Sequence, residues 1–245
     1  LIETTNLIPS RFTMLALCVL AVLMAPQPSG ALDLKFSPDL KKAGWRLHTP
    51  RGHQPASFVV ETDGSLSVSA DGAVSFLYAT VPDVTEPLRI LSWQWLINKD
   101  FPGTDLSMPG ADDRALAVHV YFSDENPSLM TKLGRGMASL FGAPVSGRAL
   151  TYVWGGKRSV GTVIPNPFMD EGDGAIIIRR SGPPDVAGTW MNEEINVADD
   201  YQSAFGKEAP KITVVAVSAD TDDTGAFSQA RIRGLKLAAV STSLR

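Results

Sequence analysis

Apolar residues come in short alternating runs along this chain, and sustained helical spacing is scarce. The runs are rich in Val, Ile, Phe, Tyr and Thr and are broken by Gly, Pro, Asp and Asn clusters. A two-residue period marks a strand with one face buried. The pattern predicts strands at Ser57–Glu61, Leu66–Ala70, Val74–Thr80, Ile90–Ile97, Leu116–Ser123, Leu150–Trp154, Ala175–Arg180, Trp190–Val197, Ile212–Ala219 and Ala230–Leu237. Asp63-Gly64 and Asp71-Gly72 separate the first three and read as hairpin turns. Many short strands with turns at this spacing predict an all-β protein, an antiparallel β-sandwich of jelly-roll type.

Two segments break the strand rhythm. In Ser128–Phe141, Leu129, Met130, Leu133, Met137, Leu140 and Phe141 fall near helical spacing, with Lys132 and Arg135 opposite. This predicts a cap helix over one end of the sandwich, near 129–141. A second helix is predicted over Val197–Phe205, with Asp199 and Asp200 near its start.

The N-terminus reads as an address. Residues 13–25 form an uncharged apolar run, Arg11 precedes it, and Pro26 and Pro28 close it. Ser29 and Ala31 fit the small-residue positions of a secretory signal, so a signal peptide over 1–31 is expected. The run is shorter than the roughly 20 residues of a spanning helix, so no stable membrane span is expected after cleavage. Residues 32–245 then form a single β-sandwich domain, exported to the periplasm or the extracellular space. Cys18, the only cysteine, lies in the apolar run, and Leu17 before it does not suit lipidation. No disulfide can therefore staple the mature chain, which must cohere by burial.

Composition narrows the function classes. Net charge is −4, with no basic stripe, which argues against a nucleic-acid partner. There is no G-x-G-x-x-G, P-loop or G-x-S-x-G motif.

Several phrases, in order, carry a resemblance: Ser92-Trp93-Gln94-Trp95, Asp112-Asp113-Arg114, Val118-His119-Val120-Tyr121-Phe122 and Leu150-Thr151-Tyr152-Val153-Trp154-Gly155. They continue with Arg180-Ser181-Gly182, Trp190 through Val197, Asp200-Tyr201, Phe205-Gly206 and Asp220-Thr221-Asp222-Asp223-Thr224. From Phe58 to Leu237 the chain resembles the domain-of-unknown-function family 3047, a group of exported bacterial proteins. It departs from the family pattern at Ile195, where a basic residue is usual, and at Asp223, where Asn is usual. The resemblance implies no established activity.

Strand alternation sorts the chemistry-bearing residues. Trp93 and Trp95 share a face with Leu91 and Ile97 and read as core. His119 and Tyr121 oppose the face of Leu116, Val118, Val120 and Phe122, beside Arg114. Tyr152 and Trp154 share a face, as do Trp190, Asn192 and Glu194. If these polar-aromatic faces belong to one sheet, they line a single surface. Sugar rings stack their C–H faces on aromatics and present hydroxyls to amides, carboxylates and guanidinium groups, so the expected ligand is a glycan or cell-envelope component. The same face equally suits packing against a second layer or a protein interface.

The leading functional expectation is a non-catalytic carbohydrate-binding or envelope-associated module. The alternative is a glycan hydrolase or lyase using Glu194 with Asp112 or Asp113, since such chemistry needs two carboxylates flanking a bond. The three histidines, His48, His53 and His119, show no zinc-site spacing. Asp220, Asp222 and Thr224, followed by Gly225, match the opening of a calcium loop, although position 12 would be Arg231 and not Glu. Ca2+ is thus a possible cofactor, and turn capping by the same side chains explains the motif as simply.

Overall fold

The computed structural model describes residues 30–84, 86–100, 102–123, 147–181 and 188–240. The predicted helix over 128–141 and the apolar run at 13–25 lie outside them. Among the described residues, no helix is long and apolar enough to cross a membrane.

Two sheets face each other. The first contains β1 (Ala31–Asp33), β3 (Ser57–Val60), β4 (Leu66–Asp71), β6 (Leu88–Lys99), β11 (Met191–Asn196) and β13 (Phe227–Ala239). Its order is β11-β6-β13-β4-β3, with β1 added along the far half of β13. The second contains β2 (Trp45–His48), β5 (Val74–Thr80), β7 (Arg114–Phe122), β8 (Ala149–Trp154), β9 (Val163–Pro165), β10 (Gly174–Arg180) and β12 (Ile212–Asp220). Its order is β2-β5-β12-β7-β8-β10-β9. All pairings are antiparallel except β8 with β10. The fold is the predicted jelly-roll sandwich.

All ten predicted strands are present, with ends shifted by a few residues. β1, β2 and β9 were not predicted, being too short to show a period. One turn behaves differently from expectation. Asp63-Gly64 closes the β3–β4 hairpin, but Asp71-Gly72 leads from one sheet to the other, because β4 pairs β13 while β5 pairs β12. The corner is held by Gly72 N donating to Ala226 O and Ala73 N donating to Thr221 Oγ1. At Gly234 the β13 ladder slips against β6, and φ of +64° there suits a residue without Cβ.

The core lies between the sheets. Trp93 and Trp95 are buried in it, edge-on to each other with centroids 5.2 Å apart. The single described helix, α1 (Val197–Phe205), starts where predicted. Its N-cap is Asn196, whose side chain accepts from Ala198 N, and Asp199 and Asp200 occupy the first turn. Its Tyr201 packs on Phe122 at 4.6 Å.

Candidate functional site

The eight side chains expected on one surface are distributed over three. Tyr152 and Trp154 lie in the core, 0% and 2% exposed, with Trp154 against Trp95 and Tyr152 against Trp93. The reason is register. Tyr152 stands opposite Val118 and Trp154 opposite Leu116, so both share the apolar face of β7, while Thr151 stands opposite His119. A one-residue offset sends every side chain to the other face. Asn192 and Glu194 lie on β11 of the other sheet, on its outward side, and Trp190 immediately precedes that strand. Glu194 is exposed, Asn192 accepts from Gln94 Nε2 at 2.5 Å, and the Arg233 guanidinium lies 4.1 Å from the Trp190 ring centroid.

Glu193, not Glu194, is the buried acid of β11. Its carboxylate accepts from Arg180 Nε at 2.8 Å, from Arg179 Nη2 at 2.9 Å and Nε at 3.1 Å, and from Trp95 Nε1 at 3.3 Å. Both arginines come from β10, so this cluster ties the two sheets together. A register shift between Ile178 and Arg180 lets two consecutive residues reach one acceptor. Glu194 is exposed on β11 of the first sheet, whereas Asp112 and Asp113 precede β7 of the second and engage Arg114 and the turn after β12, so the structure does not bring together the carboxylates of the hydrolase alternative.

Arg114, His119 and Tyr121 do come together, on the outer face of the seven-stranded sheet. Strict alternation would turn Arg114 toward the core with Leu116. β7 carries one extra residue between its pairings Ala117–Ser218 and Arg114–Asp220, and Ala115 and Leu116 both pack in the core. This bulge re-aims Arg114 outward, a device often found beside functional sites. No local sequence signal distinguishes it.

These residues floor a cavity of about 190 Å³. Phe76 and Tyr121 form its apolar wall, and Phe168, His53 and Asp222 reach it from loops. Arg114 is 6% exposed; its Nη1 donates to Asp112 O at 3.0 Å and Oδ2 at 2.9 Å, and its Nη2 lies 3.2 Å from Asp220 Oδ2. Burial opposes the guanidinium charge, but Asp220 and Asp112 outweigh it and hold the Arg114 pKa above its ordinary value. His119 is fixed by Thr151 Oγ1 at 3.0 Å and Ser218 Oγ at 2.8 Å. Burial, reinforced by Arg114, pushes its pKa well below the usual imidazole value, so it is neutral. Burial raises the Tyr121 phenol. Burial also raises Asp220, with Arg114 opposing and Asp222 adding to the rise. Asp222 is held below the usual carboxylate range by hydrogen bonding with Asp220, and His53 Nδ1 lies 2.7 Å from its Oδ2.

The expected calcium-loop residues serve different partners. Asp220 faces Arg114, Asp222 faces Asp220 and His53, and the Thr224 hydroxyl and amide both donate to Asp113 Oδ2. The turn is organised around the Asp113 carboxylate, which also accepts from Asp223 N at 3.2 Å. Sequence reading assigned Asp113 only a catalytic alternative and missed this role.

A larger cavity, about 420 Å³, opens near α1. Its walls are mainly apolar, and its Lys211 and Asp83 pair with each other at 2.6 Å while both are exposed. It lacks the buried, converging polar groups that fix a ligand's orientation, which the smaller cavity has.

Several solved structures are similar. A family 11 carbohydrate-binding module from Clostridium thermocellum, in complex with a beta-1,3-1,4-mixed-linked tetrasaccharide, aligns over 86% of this chain and 96% of its own, with TM-score 0.41 and 10% identity. The xyloglucanase domain of NopAA, a type three effector from Sinorhizobium fredii, aligns over 86% and 99%, with TM-score 0.44 and 8% identity. The enzymatically active domain of bacteriophage CBA120 tailspike protein 4 aligns over 83% of this chain but only 20% of its own, with TM-score 0.39 and 9% identity. No curated protein matches the chain. The sequence signature extends over residues 43–236, and the chain belongs to the DUF3047 family, whose members are described as proteins of unknown function.

Proposed function

We propose that this is an exported, non-catalytic glycan-binding protein that seats one saccharide unit in the cavity above Arg114. The observation that carries this reading is the pairing of a buried, doubly held guanidinium with aromatic walls in one small concavity. A sugar unit needs both. Its C–H faces pack on rings such as Phe76 and Phe168, and its hydroxyls need fixed donors and acceptors. Arg114 and its carboxylates cannot rotate away, because Asp112 and Asp220 hold the guanidinium from two sides. At about 190 Å³ the cavity is below the roughly 300–1,000 Å³ of drug-sized sites, which suits one ring and not a chain. The apolar run at 13–25 supports export.

Glycan-array screening of the purified protein, followed by calorimetry on the hits, tests the reading. Phe168 is 47% exposed and His53 is exposed, so Phe168→Ala and His53→Ala preserve the fold. Each is expected to weaken binding about tenfold, the effect of about 1.4 kcal/mol. Absence of any glycan hit, or binding untouched by both variants, overturns the proposal.

A further inference from the structure

At the mouth of this cavity the chain gathers more acid than it neutralises. Asp112, Asp113, Asp220, Asp222 and Asp223 lie together, and the basic side chains among the described residues that pair with them are Arg114 and His53. Asp113 immediately precedes β7 and Asp222 and Asp223 come from the turn after β12, so two distant segments supply the cluster. One carboxylate oxygen from each of Asp113, Asp222 and Asp223 lies within 4.8 Å of the other two. That is the separation found when oxygens sit at about 2.3–2.6 Å around a common ion.

Oxygens remain to do this. Among the described residues Asp113 Oδ1 accepts only from Asp223 N, which leaves it a lone pair. Asp222 engages His53 through Oδ2, and Asp223 accepts a long 3.4 Å contact from Asp112 N through its Oδ2. A separate observation points the same way. Asp220, only 7% exposed, has an Oδ1 with no hydrogen-bond donor among the described residues, and its side chain meets the carboxylate of Asp222. Burying a carboxyl oxygen without a partner is costly, and a cation would supply the missing one.

We infer that Asp113, Asp222 and Asp223, with Asp220 behind them, bind one divalent cation of the calcium class. The donors are all hard oxygens, with no thiolate in reach, which favours calcium or magnesium over transition metals. Asp223 is exposed on a turn, and such irregular, adjustable coordination suits Ca2+ better than the strict octahedron of Mg2+. The ligand set differs from the linear calcium-loop pattern of the sequence: Asp113 replaces Thr224, whose hydroxyl serves Asp113 instead.

The test is calorimetric titration of the chelator-treated full protein with CaCl2 and, separately, MgCl2, with no glycan present, so its outcome is independent of the glycan reading. One saturable Ca2+ site is expected, in the 10⁻⁴–10⁻³ M range of about the affinity seen in extracellular modules. At 10 mM Ca2+ the melting temperature should then rise by about 3–10 °C. Asp222→Asn and Asp223→Asn should each weaken binding at least about tenfold; the exposed Asp223 serves if the Asp222 variant does not fold. Glu194→Gln, on the far sheet, should bind as the parent does. No saturable heat and no thermal shift up to 10 mM overturns the inference, as does affinity unchanged in Asp223→Asn. Preference for Mg2+ overturns the assignment to the calcium class.

Discussion

Neighbouring glutamates on β11 give the sharpest test of how this sandwich is held. Glu193 is buried and receives four hydrogen bonds, three of them from Arg179 and Arg180 of the opposite sheet, whereas Glu194 is exposed. Glu193→Ala removes the shared acceptor and leaves two guanidinium groups and an indole N–H without it. Breaking a fully buried pair costs about 3–5 kcal/mol. Arg179 and Arg180 are 29% and 34% exposed, so water can take over part of their solvation. The discounted expectation is about 2–3 kcal/mol. For a domain of this size that is a fall in Tm of roughly 4–12 °C. Glu193→Gln keeps the shape and one acceptor, and should cost about 1–2 kcal/mol. Glu194→Ala should fall within about 0.5 kcal/mol of the parent. Urea unfolding at pH 7, with m-values compared across the set, measures all three. A Glu193→Ala loss below about 0.5 kcal/mol, or a larger loss for Glu194→Ala, would refute the face assignment.

The neutral His119 predicts acid sensitivity. Its folded pKa lies well below 6.5, so as pH falls through 6.5 the unfolded chain takes up a proton that the folded chain does not, and stability is lost at up to about 1.36 kcal/mol per pH unit. Stability measured from pH 7.5 to 5 should show this component in the parent and lose it in His119→Gln; an unchanged slope would contradict a buried neutral imidazole. Gly174→Ala would place a Cβ 2.7 Å from that of Asn166, displacing the segment that carries Phe168. It should cost about 1–3 kcal/mol and weaken glycan binding, both read from one preparation by unfolding and calorimetry. Trp154→Ala should cost about 3–5 kcal/mol through a core cavity, while Trp190→Ala leaves the fold intact and glycan affinity unchanged.

Alternation along single strands was readable because the pleat is local. Trp93 with Trp95, His119 with Tyr121, and Tyr152 with Trp154 each share a face, as the sequence predicts. Which of two faces meets the core is not local. In β8 the inward Leu150, Tyr152 and Trp154 and the outward Thr151 and Val153 are all buried, so hydrophobicity offers no choice between them. Sheet membership is likewise set by pairings between distant segments, which put β11 beside β6 and β7 beside β12. Two bulges complete the difference. One turns Arg114 outward, and the other lets Arg179 and Arg180 converge on Glu193. An inserted residue in a ladder has no signature in one strand's composition.

A crystal structure of the protein with the tightest glycan from the array would decide the matter most directly. The expected result is a single sugar ring lodged between Phe168 and the floor of Arg114, with hydroxyls bonded to the guanidinium or Asp222. A sugar bound instead over Trp190 and Arg233, with the cavity above Arg114 filled only by water, would contradict it.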